Sequence, residues 1–434
     1  MEIIPSPKSV RKSALTTVAA VILTTILVGS VVGGAGYVYS TQTGAIVAEL
    51  KSDNSKLGSQ VKSAQDESAK LNSQIVNIQD EGKNLKSLND NLNSRIRASD
   101  EDNNRFKFQI NDLNGRISDM SEKTAALSRS AVVSFEFVPQ PERVKVDVSM
   151  GVKVRFLKFT TVDGINFNGA IWEPQNERLK LAFLLVHGLG ANYTITFGSI
   201  PSVLASKGYA ALSINTRAHD GDALKDNLND NQKNLAAGVS ILKNLGYDKL
   251  VLLGYSAGAL HVIHYEAFAR DPAVRAVVIG GAGANLPWLT KSLSEARDTR
   301  LYDRLYNTAK ELIAQGKTTA MLPEQMPSTL GPLTISAISF MTYASPEGAV
   351  STTLIRQIPV PILMIRNQSD SVVPHFDPQW LVGNATAPGS QVPSMKFVLL
   401  PDSKPPSRAG HQVRNFQGAF LNSILTWLDE IKLG

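Results

Sequence analysis

The residues Gly254-Tyr255-Ser256-Ala257-Gly258 have the types and spacing that can turn a serine into a nucleophile. An apolar run, KLVLLG, precedes the serine and a helical pattern follows it, which predicts a tight turn between a strand and a helix. Such a turn strains the serine backbone and raises its hydroxyl above the edge of a sheet. Glycines on both sides allow neighbouring backbone to come close. We therefore predict a nucleophile elbow formed by Gly254, Tyr255 and Gly258 around Ser256.

A serine hydroxyl is a weak nucleophile until an imidazole accepts its proton and a carboxylate orients that imidazole. One histidine and one acid must therefore converge on Ser256. Among the six histidines, only His411 comes from a separate segment late in the chain. The other five lie in earlier loops, on the helix that Ser256 opens, or five residues after a candidate acid: His187, His219, His261, His264 and His375.

From about residue 150 to residue 434 the sequence resembles the α/β-hydrolase family. The resemblance implies a mainly parallel eight-stranded sheet with helices on both faces, and a triad in the chain order serine, acid, histidine. In the segment NQSDSVVP, Asp370 is similar to the family's acid after a strand, and Ala409-Gly410-His411 is similar to its histidine loop. Asp377 and Asp402 are alternative acids, and the position of Asp370 at a strand end favours it over both.

The run LAFLLVHGLGAN predicts the third part of the site, an oxyanion hole. The family uses such an HG loop to present a backbone amide, so Leu189 N–H and Ala257 N–H are the predicted donors. His187 is then a structural loop residue. His261 and His264, with Glu266 nearby, could be interpreted as metal ligands. Packed or solvated helix residues are favoured, because serine chemistry needs no metal, and we expect neither metal nor cofactor.

Short β-branched runs alternate with helical stretches after Ser130, which predicts an α/β fold. A hairpin is expected around Val162-Asp163-Gly164, and several later runs are continuously apolar, which is typical of a parallel sheet covered on both faces. The predicted strands are Val152 to Thr160, Ile165 to Trp172, Leu181 to Val186, Ala210 to Ile214, Leu250 to Leu253, Ala273 to Ile279, Pro361 to Ile365 and Lys396 to Leu400.

The segment from about 281 to 350 is too long for a plain connection, so we expect it to form a helical cap. Ser292 to Gly316 is charged and amphipathic, whereas Leu333 to Tyr343 is almost entirely apolar. The apolar part could face acyl or aromatic ester groups, or it could be ordinary core packing.

The N-terminal region carries a different pattern. Between Lys12 and Glu49 there is no charge, and residues 14–39 exceed the roughly 20 apolar residues that a membrane helix needs. Lys8, Arg11 and Lys12 precede this segment, so residues 1–13 are expected to be cytoplasmic and the rest of the chain extracytoplasmic. The alternative is a cleaved signal peptide ending near Gly33 and Ala35.

A heptad repeat follows over residues 44–130, which predicts a coiled-coil stalk ahead of a hydrolase domain at 131–434. One position is mostly leucine, and the position three residues earlier is mostly β-branched, with Asn54, Asn89 and Asn103 interrupting it. This pattern favours a parallel homodimer over a single solvated helix or a helix that packs back on the globular domain.

The composition excludes several classes of protein. The chain of 434 residues has no cysteine, which excludes disulfide scaffolds and cysteine nucleophiles. Its net charge of +6 includes no basic run, so we expect no nucleic-acid partner. We predict a membrane-anchored serine hydrolase that acts on a small ester or acyl substrate. Peptidase, thioesterase or acyltransferase activity stays open, as does a spacer or binding protein without catalysis.

Overall fold

The computed structural model describes residues 42–130, 134–176, 179–222, 224–348, 350–402 and 404–433. The chain divides into two compact units, Met1–Gln109 and Ile110–Gly434. The predicted cytoplasmic tail, 1–13, and the predicted transmembrane helix, 14–39, lie outside the described residues. Within the described ranges, none of the helices combines the length and the apolar character that a membrane span requires.

Residues Gln42–Ser130 form one continuous helix, α1, which spans the predicted stalk. Side chains are described for residues 47–104, and they are all exposed. The leucines of the heptad are included, with Leu50 at 42% and Leu85 at 69% exposure. The single chain thus forms the predicted helix and leaves its apolar stripe uncovered over these residues. Pairing of two such helices stays a prediction.

The second unit is built on one sheet of nine strands in the described residues. In spatial order they are β1, β2, β3, β5, β4, β6, β7, β8 and β9. The first three strands and β5 pair antiparallel, whereas all pairs from β5 to β9 are parallel. The strands are β1 Phe135–Val138, β2 Val152–Thr160, β3 Asn166–Pro174, β4 Leu181–Val186, β5 Ala210–Ile214, β6 Lys249–Tyr255, β7 Val274–Gly280, β8 Ile362–Asn367 and β9 Met395–Leu400.

All eight predicted strands are present, with ends that differ by up to two residues. The expectation of eight strands in total was wrong, because β1 adds a ninth at the edge of the sheet. This strand is only four residues long, and its two middle residues, Glu136 and Phe137, are exposed. A short edge strand buries too little to need a continuous apolar run, so the hydrophobic pattern did not reveal it.

Helices connect the strands and cover both faces of the sheet. The longer ones are α2 Ile200–Ser206, α3 Asn231–Asn244, α4 Ala257–Ala269, α5 Leu286–Arg297, α6 Leu301–Ala314, α9 Asp377–Ala385 and α10 Gln417–Glu430. Short helical pieces are α7 Ala337–Ser339, a π-helical turn Phe340–Ala344, α8 Ser351–Leu354 and five 3-10 turns at Asp220–Asp222, Leu228–Asp230, Ile355–Gln357, Ala409–His411 and Val413–Asn415.

Strand β4 shows why the sequences of the central strands are continuously apolar. Its alternate residues Ala182, Leu184 and Val186 belong to one hydrophobic cluster. The intervening residues, including Phe183 and Leu185, belong to a second cluster on the other face. Because both faces of the sheet are covered, a polar residue at either set of positions would be buried without a partner.

The predicted cap contains α5, α6 and α7, and has a hydrophobic cluster of its own. Leu301 and Leu305 of α6 pack with Ala337 and Phe340 from the apolar segment. Ile335 belongs to this cluster and Leu333 packs against it, and both residues also line a cavity beside Ser256. The apolar segment therefore packs within the cap and borders the cavity, while its contact with a substrate stays a prediction.

Helix α4 packs so closely on the end of β4 that only a glycine fits at position 258. A Cβ atom at Gly258 would lie 2.1 Å from the carbonyl oxygen of Val186 and 2.5 Å from that of His187. We expect Gly258→Ala to destabilise the protein by about 3 kcal/mol, because backbone must move to accept the methyl group. The fall in melting temperature measures this.

Gly383→Ala is the matched control. It lies in α9 with nothing within 4 Å of the added Cβ, so the better helix propensity should leave stability unchanged or raise it by up to about 1 kcal/mol. Equal destabilisation by the two variants would contradict the close packing of α4 on β4.

Candidate active site

Three predicted site residues form one hydrogen-bonded chain at the carboxyl ends of the parallel strands. Ser256 follows β6, Asp370 follows β8, and His411 lies in the 3-10 turn between β9 and α10. His411 Nε2 lies 2.9 Å from Ser256 Oγ, and His411 Nδ1 lies 2.8 Å from Asp370 Oδ2. A carboxylate only accepts, so Nδ1 carries the proton and Nε2 can accept the serine proton. The structure thus brings together residues that are 41 and 155 positions apart.

The backbone of Ser256 has the strained conformation predicted for an elbow. Its φ of 56° and ψ of −121° lie in a region that non-glycine residues rarely adopt. The Ser256 amide donates to the Gly280 carbonyl at 2.8 Å, which ties the turn to the neighbouring strand. On the other side, a Cβ at Gly254 would lie 2.2 Å from the Gly258 carbonyl oxygen. The two glycines are therefore required by the close approach of their own backbones.

Asp370 is almost fully buried, at 4% exposure. Burial raises the pKa of this carboxyl, but hydrogen bonds from the His411 ring and from the Val372 and Val373 amides outweigh burial and lower it overall. Asp370 is consequently held as a carboxylate, which is the form that can orient His411 and stabilise its cation.

Arg366 holds the turn that carries Asp370, and sequence reasoning missed it. Its guanidinium donates to the backbone carbonyls of Asp370, Val373 and Pro374 at 2.8–3.1 Å. The sequence indicated a role for Arg366, because an arginine inside the apolar strand ILMIRN is buried and needs hydrogen-bond acceptors. Its acceptors are main-chain oxygens, which no residue pattern displays.

Tyr255 and the close approach of the acid turn both hold His411 in place. The Tyr255 hydroxyl donates to the His411 carbonyl at 2.7 Å, and the two rings pack with centroids 5.5 Å apart. A Cβ at Gly410 would lie 2.2 Å from the Ser369 carbonyl oxygen. Only a glycine before His411 lets the histidine turn pack against the acid turn this closely.

The two alternative acids do not contact His411. Asp377 accepts a hydrogen bond from the Ala284 amide at 2.9 Å, and Asp402 accepts from the Ser369 hydroxyl at 2.6 Å. Of the acids in the described ranges, Asp370 alone hydrogen-bonds the His411 ring.

The HG loop lies directly against Ser256, as an oxyanion hole requires. A Cβ at Gly188 would be 3.0 Å from Ser256 Cβ and 3.5 Å from Ser256 Oγ. Leu189 and Ala257 both line the cavity that contains Ser256. Ala257 is the first residue of α4, where backbone amides lack a partner within the helix. The two predicted donors therefore border the same space.

His187 is buried and holds the HG loop in place. Its Nε2 accepts from the Thr216 amide at 3.0 Å, so the proton is on Nδ1, which lies 2.8 Å from the Gly188 carbonyl. Burial lowers the pKa of His187 to about 4, which keeps the ring neutral. The residue ties the loop to the end of β5, as expected of a structural histidine.

His261 and His264 are buried on α4 and bind protein groups. His261 Nε2 lies 2.8 Å from the Tyr343 hydroxyl, which also bonds Asp226, while His264 Nδ1 bonds the Gln232 side chain. Among the described residues, no group of three or more His, Cys, Asp or Glu is arranged to hold a metal ion. The contact from His261 to Tyr343 joins the elbow helix to the cap.

The cavity beside Ser256 has a volume of about 150 Å³ and a mostly apolar wall. Cap residues such as Leu289, Leu293 and Leu333 face the elbow across this space. One carboxylate, that of Asp377, belongs to the same wall.

Comparison with known proteins identifies the family of this chain. Residues 183–421 match the model of the alpha/beta hydrolase family, which is more than half of the 434 residues. The chain belongs to the alpha/beta hydrolase family. No curated protein matches the chain.

Solved structures similar to this chain have low sequence identity. The structure of DcsB in complex with its substrate analogue is 14% identical and has a TM-score of 0.50, covering 64% of this chain and 99% of that one. Est1E from Butyrivibrio proteoclasticus with bound ferulic acid is 18% identical, with a TM-score of 0.45 over 61% and 96% of the two chains. Acetyl xylan esterase 1 from a Thermoanaerobacterium species is 16% identical, with a TM-score of 0.46 over 69% and 92%. The similarity to DcsB shows the fold alone.

Helix α4 also buries a carboxyl group that lies outside the hydrogen-bonded chain of Ser256, His411 and Asp370. Glu266 is fully buried, and neither of its oxygens has a hydrogen-bond partner among the described residues. Burial raises the pKa of Glu266 to about 9, and the charge of Asp271 raises it further than Arg270 lowers it. The folded protein thus keeps a proton there that the unfolded chain loses near its ordinary pKa of 4.5.

This group should make stability fall as pH rises. The pKa of Glu266 is higher in the folded protein, about 9, than in the unfolded chain, 4.5. The stability linked to its bound proton is therefore fully present below pH 4.5 and is lost as the pH rises to about 9. Glu266→Met removes the titration, so the difference in unfolding free energy, variant minus wild type, should grow by about 1.4 kcal/mol per pH unit from pH 6 to 8. Urea unfolding at several pH values measures this slope, and parallel stability curves for the two proteins would contradict it.

Proposed function

We propose that this protein is a serine hydrolase that cleaves carboxylic esters through an acyl-enzyme. The observation that carries the proposal is the hydrogen-bonded chain from Ser256 Oγ through His411 to Asp370, with distances of 2.9 and 2.8 Å. Membership of the alpha/beta hydrolase family supports it, since that family places a serine, an acid and a histidine at these points.

In the proposed first step, Ser256 Oγ attacks the ester carbonyl carbon while His411 Nε2 takes the hydroxyl proton. The resulting imidazolium donates from Nδ1 to the Asp370 carboxylate, which is held ionised by its hydrogen bonds. The carbonyl oxygen gains negative charge and is stabilised by the Leu189 and Ala257 amides. Collapse of this intermediate expels the alcohol, which takes the proton from His411 and leaves Ser256 acylated.

In the second half of the reaction, water replaces the alcohol. His411 Nε2 removes a proton from the water as it attacks the acyl carbon, and the same proton returns to Ser256 Oγ as the acid leaves. The apolar wall of the cavity supports an ester with a short acyl or aromatic group as the substrate, because the transfer of such groups from water to an apolar wall is favourable.

Removal of each triad member should lower kcat by about 10³- to 10⁶-fold on a short 4-nitrophenyl ester, because the three residues act as one unit. The variants are Ser256→Ala, His411→Ala and Asp370→Asn. Initial rates give the loss of kcat, and a fluorophosphonate probe should label wild type but not Ser256→Ala.

Asp402→Asn is the matched control for the acid. It removes the same charge from a carboxylate that contacts Ser369, beside the triad but away from His411. This variant should keep activity within a few fold. Loss of activity in Asp402→Asn together with retention in Asp370→Asn would contradict the assignment of the acid.

We also propose that α1 is a stalk that pairs with the same helix of a second copy, and that residues 14–39 anchor it in a membrane. The support for pairing is the exposure of the heptad leucines in the single chain, from 42% at Leu50 to 69% at Leu85. Exposure of an apolar stripe of this length to water is unfavourable, so a partner helix that covers it would stabilise the stalk. The anchor rests on the sequence alone.

A fragment of residues 42–130 should therefore be helical and dimeric, with a melting temperature that rises with concentration. Leu85→Asp lies in the heptad seam and should make it monomeric, because pairing would bury a charge. Leu88→Asp is the control, since Leu88 is 63% exposed but lies outside the seam, and it should leave the dimer intact. Sedimentation equilibrium measures both, and a monomeric unmodified fragment would overturn the proposed stalk.

A further inference from the structure

The wall of the cavity contains one buried carboxylate that the proposed reaction does not use. Asp377 begins α9 and is 4% exposed, yet it lines the same cavity as Ser256. Its neighbours in that wall are mostly aliphatic, including Leu286, Leu289 and Val373. A carboxylate in such surroundings costs free energy unless a partner compensates for the loss of water.

The protein supplies only part of that compensation. Asp377 Oδ2 accepts from the Ala284 amide, and this is the one hydrogen bond to the carboxylate in the described part of the chain. Arg366 also lowers the pKa of Asp377 through its charge, but its N–H groups are given to the carbonyls of the acid turn. The N-terminus of α9, where Asp377 lies, favours a negative charge as well. A carboxylate offers about four acceptor positions, so Asp377 retains acceptor capacity at the cavity wall and its charge is compensated only in part.

A short loop links this carboxylate to the reacting groups. A Cβ at Gly281 would lie 3.0 Å from His411 Cε1, and a Cβ at Gly283 would lie 3.8 Å from Asp377 Oδ2. Two residues of chain span at most about 7 Å. Ser256, both glycines of this loop and Asp377 line one cavity, so a single ligand in that cavity can contact the serine and the carboxylate.

Three aromatic rings lie near the start of α9 but outside the lining of the cavity. Trp288 of α5 packs on Phe376 and Trp380 with centroids 5.5 and 5.1 Å apart, and the latter two rings are 4.8 Å apart. Trp288 and Trp380 are 43% and 37% exposed. Phe376 immediately precedes Asp377, and Trp380 follows it by one helical turn. Because these rings do not line the cavity, the preference for a positively charged ligand rests on Asp377 alone.

We propose that Asp377 receives a protonated amine at the end of a short apolar chain of the substrate, and so determines the specificity of this site for cationic esters. This inference rests on the proposed ester hydrolysis. It goes further by assigning a charge to the substrate, since the cavity binds an apolar segment and Asp377 binds the ammonium group through charge-assisted hydrogen bonds.

Equilibrium binding tests this without turnover, so its failure is distinguishable from failure of the proposed reaction. The probes are n-hexylamine, protonated at pH 7.5, and n-hexanol, which has the same chain length but no charge. Titration calorimetry on the full chain should give hexylamine at least about tenfold tighter binding than hexanol. Equal affinities in the wild-type protein would overturn the proposal, whatever the variants do.

Asp377→Asn supplies the second comparison. Asparagine keeps an oxygen for the Ala284 amide but loses the charge, so hexylamine should bind at least about tenfold more weakly while hexanol changes less than twofold. Asp298→Asn is the charge-matched control, because Asp298 is an exposed cap carboxylate outside the cavity wall, and it should change neither affinity. A loss of hexylamine affinity in Asp298→Asn equal to that in Asp377→Asn would also overturn the proposal, because general charge would then explain the preference.

If ester turnover is present, the same preference should appear in kcat/KM. The 4-nitrophenyl ester of 6-aminohexanoate should exceed that of hexanoate in wild type, and Asp377→Asn should remove the difference. Turnover of both esters with no preference would leave the serine hydrolase proposal standing and reject the role of Asp377.

Discussion

The strained backbone at Ser256 is the constraint on which the rest of the second unit depends. A φ of 56° is unfavourable for a serine by about 1–3 kcal/mol, so it persists only where the surroundings fix it. Here the Gly280 carbonyl fixes it on one side and the contact between Gly254 and Gly258 fixes it on the other. The parallel strands on both sides of β6 then bring the acid turn, the histidine turn and the HG loop to the same edge. A relaxed turn would leave the serine hydroxyl below that edge and out of reach of His411.

Much of this arrangement could be predicted because it is recorded in local patterns. Continuous apolar runs revealed the central strands, since both faces of β4 are buried in separate clusters. Ser256 stood out through the glycine pattern of the elbow, Asp370 through its turn after a strand, and His411 as the histidine of a separate segment late in the chain. Contacts through the main chain could not be predicted in this way. Arg366 binds three carbonyl oxygens, which no residue pattern displays, and strand β1 has only four residues, too few to show a distinctive pattern.

The buried ionisable groups around the site differ in how they are compensated. Asp370 receives three hydrogen bonds from the protein and is held ionised. Glu266 has no partner among the described residues, and burial holds its proton instead. Asp377 lies between these two cases, since burial raises its pKa to about 6 while the Ala284 amide and Arg366 lower it in part. At neutral pH such a group is mostly ionised but incompletely satisfied, whereas a purely structural carboxylate would be expected to have its acceptors filled.

The small strand β1 also has a consequence for association between copies of this chain. Without it, the whole of β2 would offer free backbone groups along the edge of the sheet, and such edges pair readily with each other. Strand β1 covers the half from Phe156 to Phe159, and the other half carries the exposed Lys153, while Arg155 there is paired with Glu173. An approaching sheet would therefore meet only two short stretches of free backbone, the four residues of β1 and the end of β2 beside Lys153. Proteins held side by side at high local concentration gain most from that protection, because for them an open edge would be a route to aggregation.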